Sequence, residues 1–192
     1  YHTDLGRVSG TSDADGIDLK TFNWGAYDLI VIDESHNLRG NPKARENDGE
    51  TIFNRAKFLM EEVIKSGARS RILMLSATPV NTTLKDLRNQ IHYITEGKDE
   101  VLMDSIGIEN ISNTLKTAQA QFMKWVKDSQ GKERNINELF STLDRGFFKL
   151  LDELTIARSR KHIKTYYRDD KFGSFPKRLK PDSVYADIDL KN

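Results

Sequence analysis

The chain has 192 residues, of which 37% are hydrophobic and 31% charged, with a formal net charge of +1 and no cysteine. This length suffices for one sizeable core, or for one core with an appendage. The lack of cysteine excludes disulfides and Cys-based zinc sites, and no apolar run approaches the roughly 20 residues that cross a bilayer. We therefore expect a cytoplasmic protein with no membrane partner.

Charge is distributed unevenly along the chain. Residues 1–50 contain five Lys or Arg against ten Asp or Glu, whereas residues 145–180 contain eleven against four. A local excess of cations favours contact with polyanions such as nucleic acid. The small net charge conceals this asymmetry, so electrostatic recognition is expected near the C-terminal end.

The first half of the chain alternates between strand and helix patterns. Residues 1–25 are rich in Gly, Ser, Asp and Thr and predict a loop, and the apolar run "YDLIVI" (27–32) predicts a strand buried on both faces. The segment "LRGNPKARENDGE" (38–50) predicts a polar loop. A helical stripe follows. It consists of Ile52, Ala56, Leu59 and Val63.

A second strand and a second helix come next. The run "RILMLSA" (71–77) predicts another buried strand, and Thr83 is placed to cap the helix after it. The apolar stripe of that helix consists of Leu84, Leu87, Ile91 and Ile94. This order predicts an α/β fold with a parallel sheet. Because two strands make an inadequate sheet, we expect further strands upstream of Tyr1.

The pattern changes after Gly97. Two helical stripes separated by "DSQGKERN" (128–135) predict an inserted αα-hairpin. The first comprises Ile111, Leu115, Ala118, Phe122 and Trp125, and the second Ile136, Leu139, Leu143, Phe147, Leu150 and Leu154. Their aromatic residues fit a hydrophobic core, with a partner-binding surface as the alternative. A basic connector, "RDDKFGSFPKRLKP" (168–181), precedes an alternating segment that fits a short strand, "SVYADIDL" (183–190).

The acidic pair Asp33 and Glu34 directly follows the first predicted strand. The carboxyl ends of parallel strands are where α/β sheets bind ligands. A strand-end Asp can help to hold Mg²⁺ in a nucleotide site, and a neighbouring carboxylate can orient and deprotonate an attacking water. For the pair taken alone, an acidic turn without chemistry is the alternative.

His36 follows the pair and raises the question of a hydrolase triad. Residues so close on one loop do not readily face each other, and the chain has no Gly-x-Ser-x-Gly elbow. A serine hydrolase is therefore disfavoured. A histidine metal cluster is disfavoured too, because the four histidines show no ligand spacing.

Ser76 and Thr78 stand at the end of the second predicted strand, in "LSATPVN" (75–81). With the two strands side by side, these residues share one rim with the acidic pair and His36. Hydroxyl groups there can hydrogen-bond carboxylates and imidazole. A capped strand-to-helix turn is the alternative for this motif alone.

The two motifs together form a recognisable pattern. The segments "VIDESH" (31–36) and "LMLSATP" (73–79) resemble motif II, the Walker B box, and motif III of superfamily 2 helicases and translocases. Within that superfamily the chain most resembles the SWI/SNF-like ATPases. The helix "TLKDLRNQI" (83–91), the helical insertion, and the segments "IARSRKHIKTYY" (156–167) and "FPKRLKP" (175–181) resemble further family features. The resemblance covers nearly the whole chain.

Three positions depart from the eukaryotic remodelling branch of that family. Motif III carries Ser-Ala-Thr instead of Thr-Gly-Thr, Thr82 stands where Asn is usual, and Phe175 replaces a Leu of the connector. The resemblance therefore favours a bacterial or archaeal SWI/SNF-like or restriction-associated motor over a chromatin remodeller.

The resemblance implies a partial RecA-like (P-loop NTPase) fold and a DNA-dependent ATPase that couples ATP hydrolysis to movement on double-stranded DNA. By it, Asp33 would coordinate Mg²⁺ through bound ATP, and Glu34 would position the hydrolytic water. His36, Ser76 and Thr78 would couple the nucleotide state to the grip on DNA. Phosphate contacts, driven by counterion release, are expected from Arg158, Arg160, Lys161 and Lys164. A solvated basic face is the alternative for these four residues.

By the same resemblance, residues 1–96 belong to the first motor lobe, residues 97–157 form the helical insertion, and residues 158–192 connect to a second lobe. The sequence contains no Gly-x-x-x-x-Gly-Lys-[Ser/Thr] loop. We expect that loop upstream of Tyr1 and the second lobe after Asn192. The fragment alone is therefore predicted to be inactive as an ATPase, and its insertion offers a surface for a protein partner.

Three other functions stay open. The same fold would serve a non-catalytic nucleic-acid-binding or scaffold module if no phosphate loop precedes it. A metal-dependent hydrolase would use the acidic pair with further ligands that the sequence does not offer. An RNA helicase is disfavoured, because the helical insertion departs from the compact plan of those enzymes.

Overall fold

The computed structural model describes residues 3–7, 9–47, 50–131 and 133–157. The strands are β1 (Leu29–Ile32), β2 (Ala44–Asn47), β3 (Glu50–Phe53) and β4 (Arg71–Met74). The α-helices are α1 (Arg55–Phe58), α2 (Leu84–Ile94), α3 (Met103–Ile106), α4 (Ile111–Asp128), α5 (Ile136–Thr142) and α6 (Arg145–Leu154). A 3-10 turn spans Ser35–Leu38, and a π-helical segment, Leu59–Ile64, continues α1.

Strands β1 and β4 lie side by side and run parallel. Leu29 stands opposite Arg71, and Ile32 stands opposite Met74. The chain between the two strands contains α1 and the π-helical segment, so the predicted order of strand, helix and strand is present. A mixed α/β fold with a small parallel sheet is thereby confirmed. The RecA-like arrangement stays a prediction.

Only one face of this parallel sheet is buried within the described residues. Ile32 is 7% exposed, whereas Leu29, Val31 and Leu73 are 56%, 53% and 49% exposed. Side chains alternate between the two faces of a strand, and the described helices pack against one of them. The prediction that both strands are buried on both faces is therefore wrong for this part of the chain.

The polar loop predicted for residues 38–50 contains β-structure. Strands β2 and β3 pair antiparallel as a hairpin, which places Ile52 and Phe53 in a strand. The prediction of a helix from Ile52 is therefore wrong. Helix α1 begins after Asn54, whose side-chain oxygen accepts a hydrogen bond from the Lys57 amide at 2.9 Å. This cap sets the start of the helix, because it satisfies an amide that has no partner within the helix.

The first of two cores lies between the parallel sheet and the helix that follows β3. We call it the sheet core. Its buried members are Ile32, Leu38, Ala56, Phe58, Leu59, Met60, Val63, Ile64 and Tyr93. Trp24 packs edge-on against Phe58, with ring centroids 5.5 Å apart, and attaches the N-terminal segment to this core.

The second core, here the helical core, joins α2, α4 and α6. Its buried members are Leu87, Ile91, Ile108, Ile111, Leu115, Ala118, Phe147 and Leu150. The first stripe of the predicted hairpin is confirmed in its N-terminal half, where Ile111 and Ala118 are fully buried. Further along the same helix the stripe becomes more open, and Phe122 is 40% exposed.

The second stripe of the predicted hairpin is divided between two helices. The chain leaves the helical conformation at Leu143, which is extended (φ −71°, ψ 139°). Asp144 then accepts a hydrogen bond from the Gly146 amide at 2.7 Å, at the start of α6. The prediction of one continuous helix for this stripe is therefore wrong. The apolar periodicity survives because Leu139 and Phe147 are both buried on either side of the break.

Helix α2 contributes to both cores. Leu87 and Ile91 pack in the helical core, and Tyr93 packs in the sheet core. Packing therefore continues across the predicted boundary at residue 96, and Tyr1–Leu154 form one compact unit. Within the described ranges, no helix has both the length and the apolar character that a membrane span requires.

Candidate functional site at the carboxyl edge of the parallel sheet

The ends of β1 and β4 meet at one edge of the sheet. Beyond the paired residues, the Leu75 amide donates to the Ile32 carbonyl at 2.9 Å, and the Ser35 amide donates to the Leu75 carbonyl at 2.9 Å. The loop that carries Asp33 and Glu34 is thereby fastened to the loop that carries Ser76. The structure thus brings the two sequence motifs together at the carboxyl ends of neighbouring parallel strands.

The acidic pair stands on the solvent side of this edge. Asp33 and Glu34 are both exposed, and Asp33 Oδ1 accepts a hydrogen bond from the Glu34 amide at 2.8 Å. Glu34 has a left-handed backbone conformation (φ 49°, ψ 45°), which is uncommon for a residue other than Gly. Strained backbone of this kind clusters at functional sites. The turn displays both carboxylates at the end of β1.

His36 lies beside Glu34. Its Nδ1 is 3.0 Å from Glu34 Oε2, and the histidine side chain is 28% exposed. The two atoms are within ion-pair distance, but their relative direction does not make a hydrogen bond. The structure therefore brings the His36 ring and the Glu34 carboxylate side by side at this edge.

Ser76 and Thr78 lie in the loop after β4, beside the loop that carries the acidic pair. The Ser76 hydroxyl accepts a hydrogen bond from the Thr78 amide at 3.1 Å, which stabilises the turn after β4. Thr78 is exposed. The Ser76 hydroxyl thus has a hydrogen-bond partner within its own loop. The sequence predicts only that Ser76 shares one rim with the acidic pair.

A buried side chain of α2 links the two loops. The Ser35 hydroxyl donates to Gln90 Oε1 at 2.9 Å, and both residues are buried. Gln90 Nε2 donates in turn to the Pro79 carbonyl at 2.6 Å and to the Asp86 carbonyl at 3.1 Å. A single amide therefore joins the residue after Glu34 to the residue after Thr78. Sequence analysis missed this link.

Two further side chains of α2 hold the loop after β1. Asn89 Nδ2 donates to the Arg39 carbonyl at 2.7 Å, and the Tyr93 hydroxyl donates to the Leu38 carbonyl at 2.9 Å. Burial raises the pKa of Tyr93 above its ordinary value of 10.0. The sequence signal for this set was the polar pair Asn89 and Gln90 between two apolar positions of a helix stripe.

Asp86 fastens the loop after β4 from the first turn of α2. Its Oδ2 accepts hydrogen bonds from the amides of Asn81 and Thr82, at 3.0 and 3.1 Å. Burial alone would raise the pKa of Asp86, but these amides and the charge of Arg39 outweigh burial and lower it. The expected cap, Thr83, occupies the N-cap position without a side-chain capping bond. Asp86 takes over that stabilising function for the preceding turn.

Asp33 follows β1 and offers a carboxylate that could hold a nucleotide-bound Mg²⁺. Mg²⁺ is usually held by one or two carboxylates together with substrate phosphates and waters, so a strand-end Asp fits this type of site. In the part of the chain described, His, Asp and Glu form no group of three or more that would hold a metal by themselves. Arg158, Arg160, Lys161 and Lys164 lie outside the described residues.

Comparison with protein-family models, with curated proteins and with solved structures finds no match to this chain. The assignment of a function therefore depends on the two motifs and on the geometry of the sheet edge.

Proposed function

We propose that the chain is the later half of the first motor lobe of a SWI/SNF-like, DNA-dependent ATPase. The observation that carries the proposal is the adjacency of the two motifs. The amide of Ser35, next to Glu34, bonds to the carbonyl of Leu75, next to Ser76, at 2.9 Å. Open α/β sheets bind ligands at the carboxyl ends of their strands, so the shared position of the two motifs at that edge supports the proposal.

In this proposal Asp33 binds Mg²⁺ together with the phosphates of ATP. Glu34 is the general base that orients the attacking water, because its exposed carboxylate stands beyond the strand end. His36, 3.0 Å from Glu34, registers whether that carboxylate has moved toward a bound water. Ser76 and Thr78 carry the change to the loop after β4, with Gln90 as the mechanical link between the loops.

The proposal is tested by ATPase measurements on two proteins. The 192-residue chain alone should show no Mg²⁺-dependent ATP turnover, since it contains no Gly-Lys-[Ser/Thr] loop. The same chain within its natural reading frame should hydrolyse ATP faster when duplex DNA is added. Glu34→Gln should abolish that turnover while ATP is still bound, because it removes the base and keeps the size of the side chain.

The outcome that contradicts the proposal is equally specific. Turnover by the 192-residue chain itself, abolished by Glu34→Gln, would show a hydrolase complete within this sequence. A natural reading frame without a phosphate loop, and without ATPase activity, would favour the non-catalytic nucleic-acid-binding or scaffold module.

A further inference from the structure

A groove between α2 and α4 lies apart from the sheet edge. It has a volume of about 360 Å³ and is lined by residues of α2 and α4 and by Thr83, which precedes α2. Leu115 contributes an apolar floor, and Ser112 and Gln119 lie along the same face of α4, at helical spacing. The groove is therefore a shaped surface between two packed helices and not a single exposed helix face.

Three cations border this groove. Lys85 and Arg88 stand three residues apart on α2, and Lys116 faces them from α4. No Asp or Glu is among its lining residues. The sequence of α4 from Ile111 to Lys127 also contains no acidic residue, so the wall it provides carries cations alone. The side chains that line the groove therefore carry positive charge and no negative charge.

Two acidic residues lie close to the groove, Asp86 beside Lys85 in the sequence and Asp99 in contact with Ser112. Both of their carboxylates accept hydrogen bonds. The Asp86 carboxylate accepts hydrogen bonds from the amides of Asn81 and Thr82. The Asp99 carboxylate accepts from the Ser112 hydroxyl and amide at 2.8 and 3.0 Å, and lies 3.0 Å from His92 Nε2. Neither carboxylate forms an ion pair with a cation of the groove within the described residues.

Arg88 has unused hydrogen-bonding capacity. One of its terminal nitrogens donates to Asn89 Oδ1 at 2.9 Å, while its Nε is buried without a hydrogen-bond partner in the described part of the chain. A buried guanidinium N–H without an acceptor is unfavourable. Arg88 therefore brings to the groove a guanidinium group whose hydrogen-bonding capacity is not filled by the described part of the chain.

Neutral donors complete the lining. Gln119 Oε1 accepts from the Leu84 amide at 2.8 Å, which leaves the side-chain NH₂ of Gln119 as a donor. The hydroxyl of Thr83 makes no capping bond, and the positive end of the α2 dipole lies at this point. Lysine, arginine, hydroxyl and amide groups beside a helix N-terminus are the set that contacts phosphate oxygens along a nucleic-acid backbone.

We propose that the α2–α4 groove binds the phosphodiester backbone of nucleic acid through Lys85, Arg88 and Lys116. This inference rests on the proposed function for the class of polymer, and it adds a contact surface separate from the sheet edge. Binding of this kind is independent of base sequence and falls with salt, because it releases counterions from the phosphates.

The test measures the binding of a fluorescently labelled DNA duplex, and of the corresponding single strand, to the 192-residue chain by anisotropy without ATP. A triple variant, Lys85→Gln with Arg88→Gln and Lys116→Gln, should weaken binding at least about tenfold at low salt. Each lost phosphate contact should lower the slope of log K against log salt by about 1, so the triple variant should lose about 3.

A charge-matched control separates the groove from net charge. Lys124→Gln with Lys127→Gln and Lys149→Gln removes the same three charges from exposed positions of α4 and α6. This control should keep most of the affinity and slope. Circular dichroism checks folding, and if Arg88→Gln unfolds the chain, the double variant of the two exposed residues Lys85 and Lys116 replaces the triple.

Three results would overturn the inference. These are no DNA binding by the wild-type chain, an equal loss in the groove and control variants, or competition by polyglutamate as strong as that by DNA. The last would assign the groove to an acidic protein partner. The binding measurement uses no ATP and leaves Asp33 and Glu34 intact, so a negative result there would not contradict the ATPase proposal. A negative result in the Glu34→Gln ATPase test would likewise not contradict nucleic-acid binding in the groove.

Discussion

The helical core and the sheet core bury their apolar residues to different extents. In the helical core, α2, α4 and α6 close on one another, and Ile111, Ala118 and Leu150 are fully buried. At the sheet, helices cover one face and leave Leu29 and Val31 more than half exposed. A helix needs a partner for one stripe, whereas a central strand needs a layer on each of its two faces. Neighbouring segments of the chain can cover one stripe of a helix more easily than they can cover both faces of a strand.

The two regions also differ in what fixes their loops. The helical core is held mainly by apolar contact, which is not directional. The loops at the sheet edge are held by directed hydrogen bonds from α2, through Gln90, Asn89 and Tyr93. Directed bonds define the position of a loop more narrowly than apolar contact does. The loops of the candidate site are therefore positioned by hydrogen bonds from buried side chains of α2.

The comparison is tested most strongly by truncating one residue in each region. Leu150→Ala should lower the free energy of unfolding by about 2–5 kcal/mol, because it opens a cavity at a fully buried position. Val31→Ala, at a position 53% exposed, should cost roughly 0.5–1 kcal/mol, since the side chain is only partly removed from water. Urea unfolding followed by circular dichroism measures both.

The same pair of variants would also detect a cover on the sheet. If Val31→Ala costs as much as Leu150→Ala, the outer face of the sheet is buried in solution, and the contrast between the two regions is lost. If both costs are small, the helical core is less tightly packed than the structure has it.

A smaller effect is expected when the link between the two loops is removed. Gln90→Leu keeps the size of the side chain but leaves the Ser35 hydroxyl and the Pro79 carbonyl without their partner. We expect a loss of about 1–3 kcal/mol in the free energy of unfolding. Amide hydrogen exchange should become faster in both loops. Gln130→Leu, the same substitution at an exposed position, is the control and should be close to neutral.

The contrary outcome for Gln90 is faster exchange in one loop alone. In that case the two loops are not coupled through this side chain, and the role given to Gln90 in the proposed function would have to be withdrawn.

Tyr93→Phe is expected to cost roughly 1 kcal/mol, because it removes one buried hydrogen bond and leaves the Leu38 carbonyl unsatisfied. It also carries a pH signature. The pKa of Tyr93 is raised by burial in the folded state, so the unfolded chain loses the phenolic proton first as pH rises. The contribution of the neutral phenol is complete below 10.0 and declines above it. The wild-type protein should therefore lose stability above pH 10 more steeply than Tyr93→Phe does.

The sequence predicts the parts of this molecule that depend on local pattern. The runs that became β1 and β4, the buried positions Leu87 and Ile91 of α2 and the N-terminal half of α4 were recognised because their periodicity is strong. Ile94, the last position of the predicted α2 stripe, is 44% exposed. The β2–β3 hairpin was not, since "AREN" has no apolar alternation and its pairing is with its immediate neighbour. The break at Leu143 was missed because the apolar spacing continues through it. There, the capping bond from the Gly146 amide to Asp144 outweighs the stripe.

The sequence predicts where the candidate site lies in the fold, but it does not predict the hydrogen bonds that hold the loops of the site. Each motif stands at the carboxyl end of a predicted strand. If the two strands are parallel neighbours, the acidic pair and Ser76 lie at the same edge of the sheet. The bridge through Gln90 joins residues 55 positions apart, and no local pattern encodes such a contact. In the sequence Gln90 is one of three consecutive polar residues between Leu87 and Ile91, a pattern shared by many surface positions.

The smallest of the expected effects concerns Asp86, which stabilises the loop after β4 from the N-terminal turn of α2. Its pKa is lowered in the folded state, chiefly because the amides of Thr82 and Asn81 overcome the opposing effect of burial. The unfolded chain therefore binds the proton first as pH falls, so the stabilisation is complete above 3.8 and is lost as pH falls below that value. Asp86→Asn should remove this dependence and cost about 0.5–1 kcal/mol at neutral pH.

Urea unfolding at several pH values between neutral and acid measures the effect, with Asp104→Asn, an exposed position in the first turn of α3, as the control. If the two variants lose stability in parallel with the wild-type protein, the hydrogen bonds to Asn81 and Thr82 do not persist in solution. Of the two side chains of α2 that bond the loop after β4, only Gln90 would then remain. That loop would have one side-chain hydrogen-bond link to α2 instead of two, and the sheet edge would then differ less from the helical core in how its loops are held.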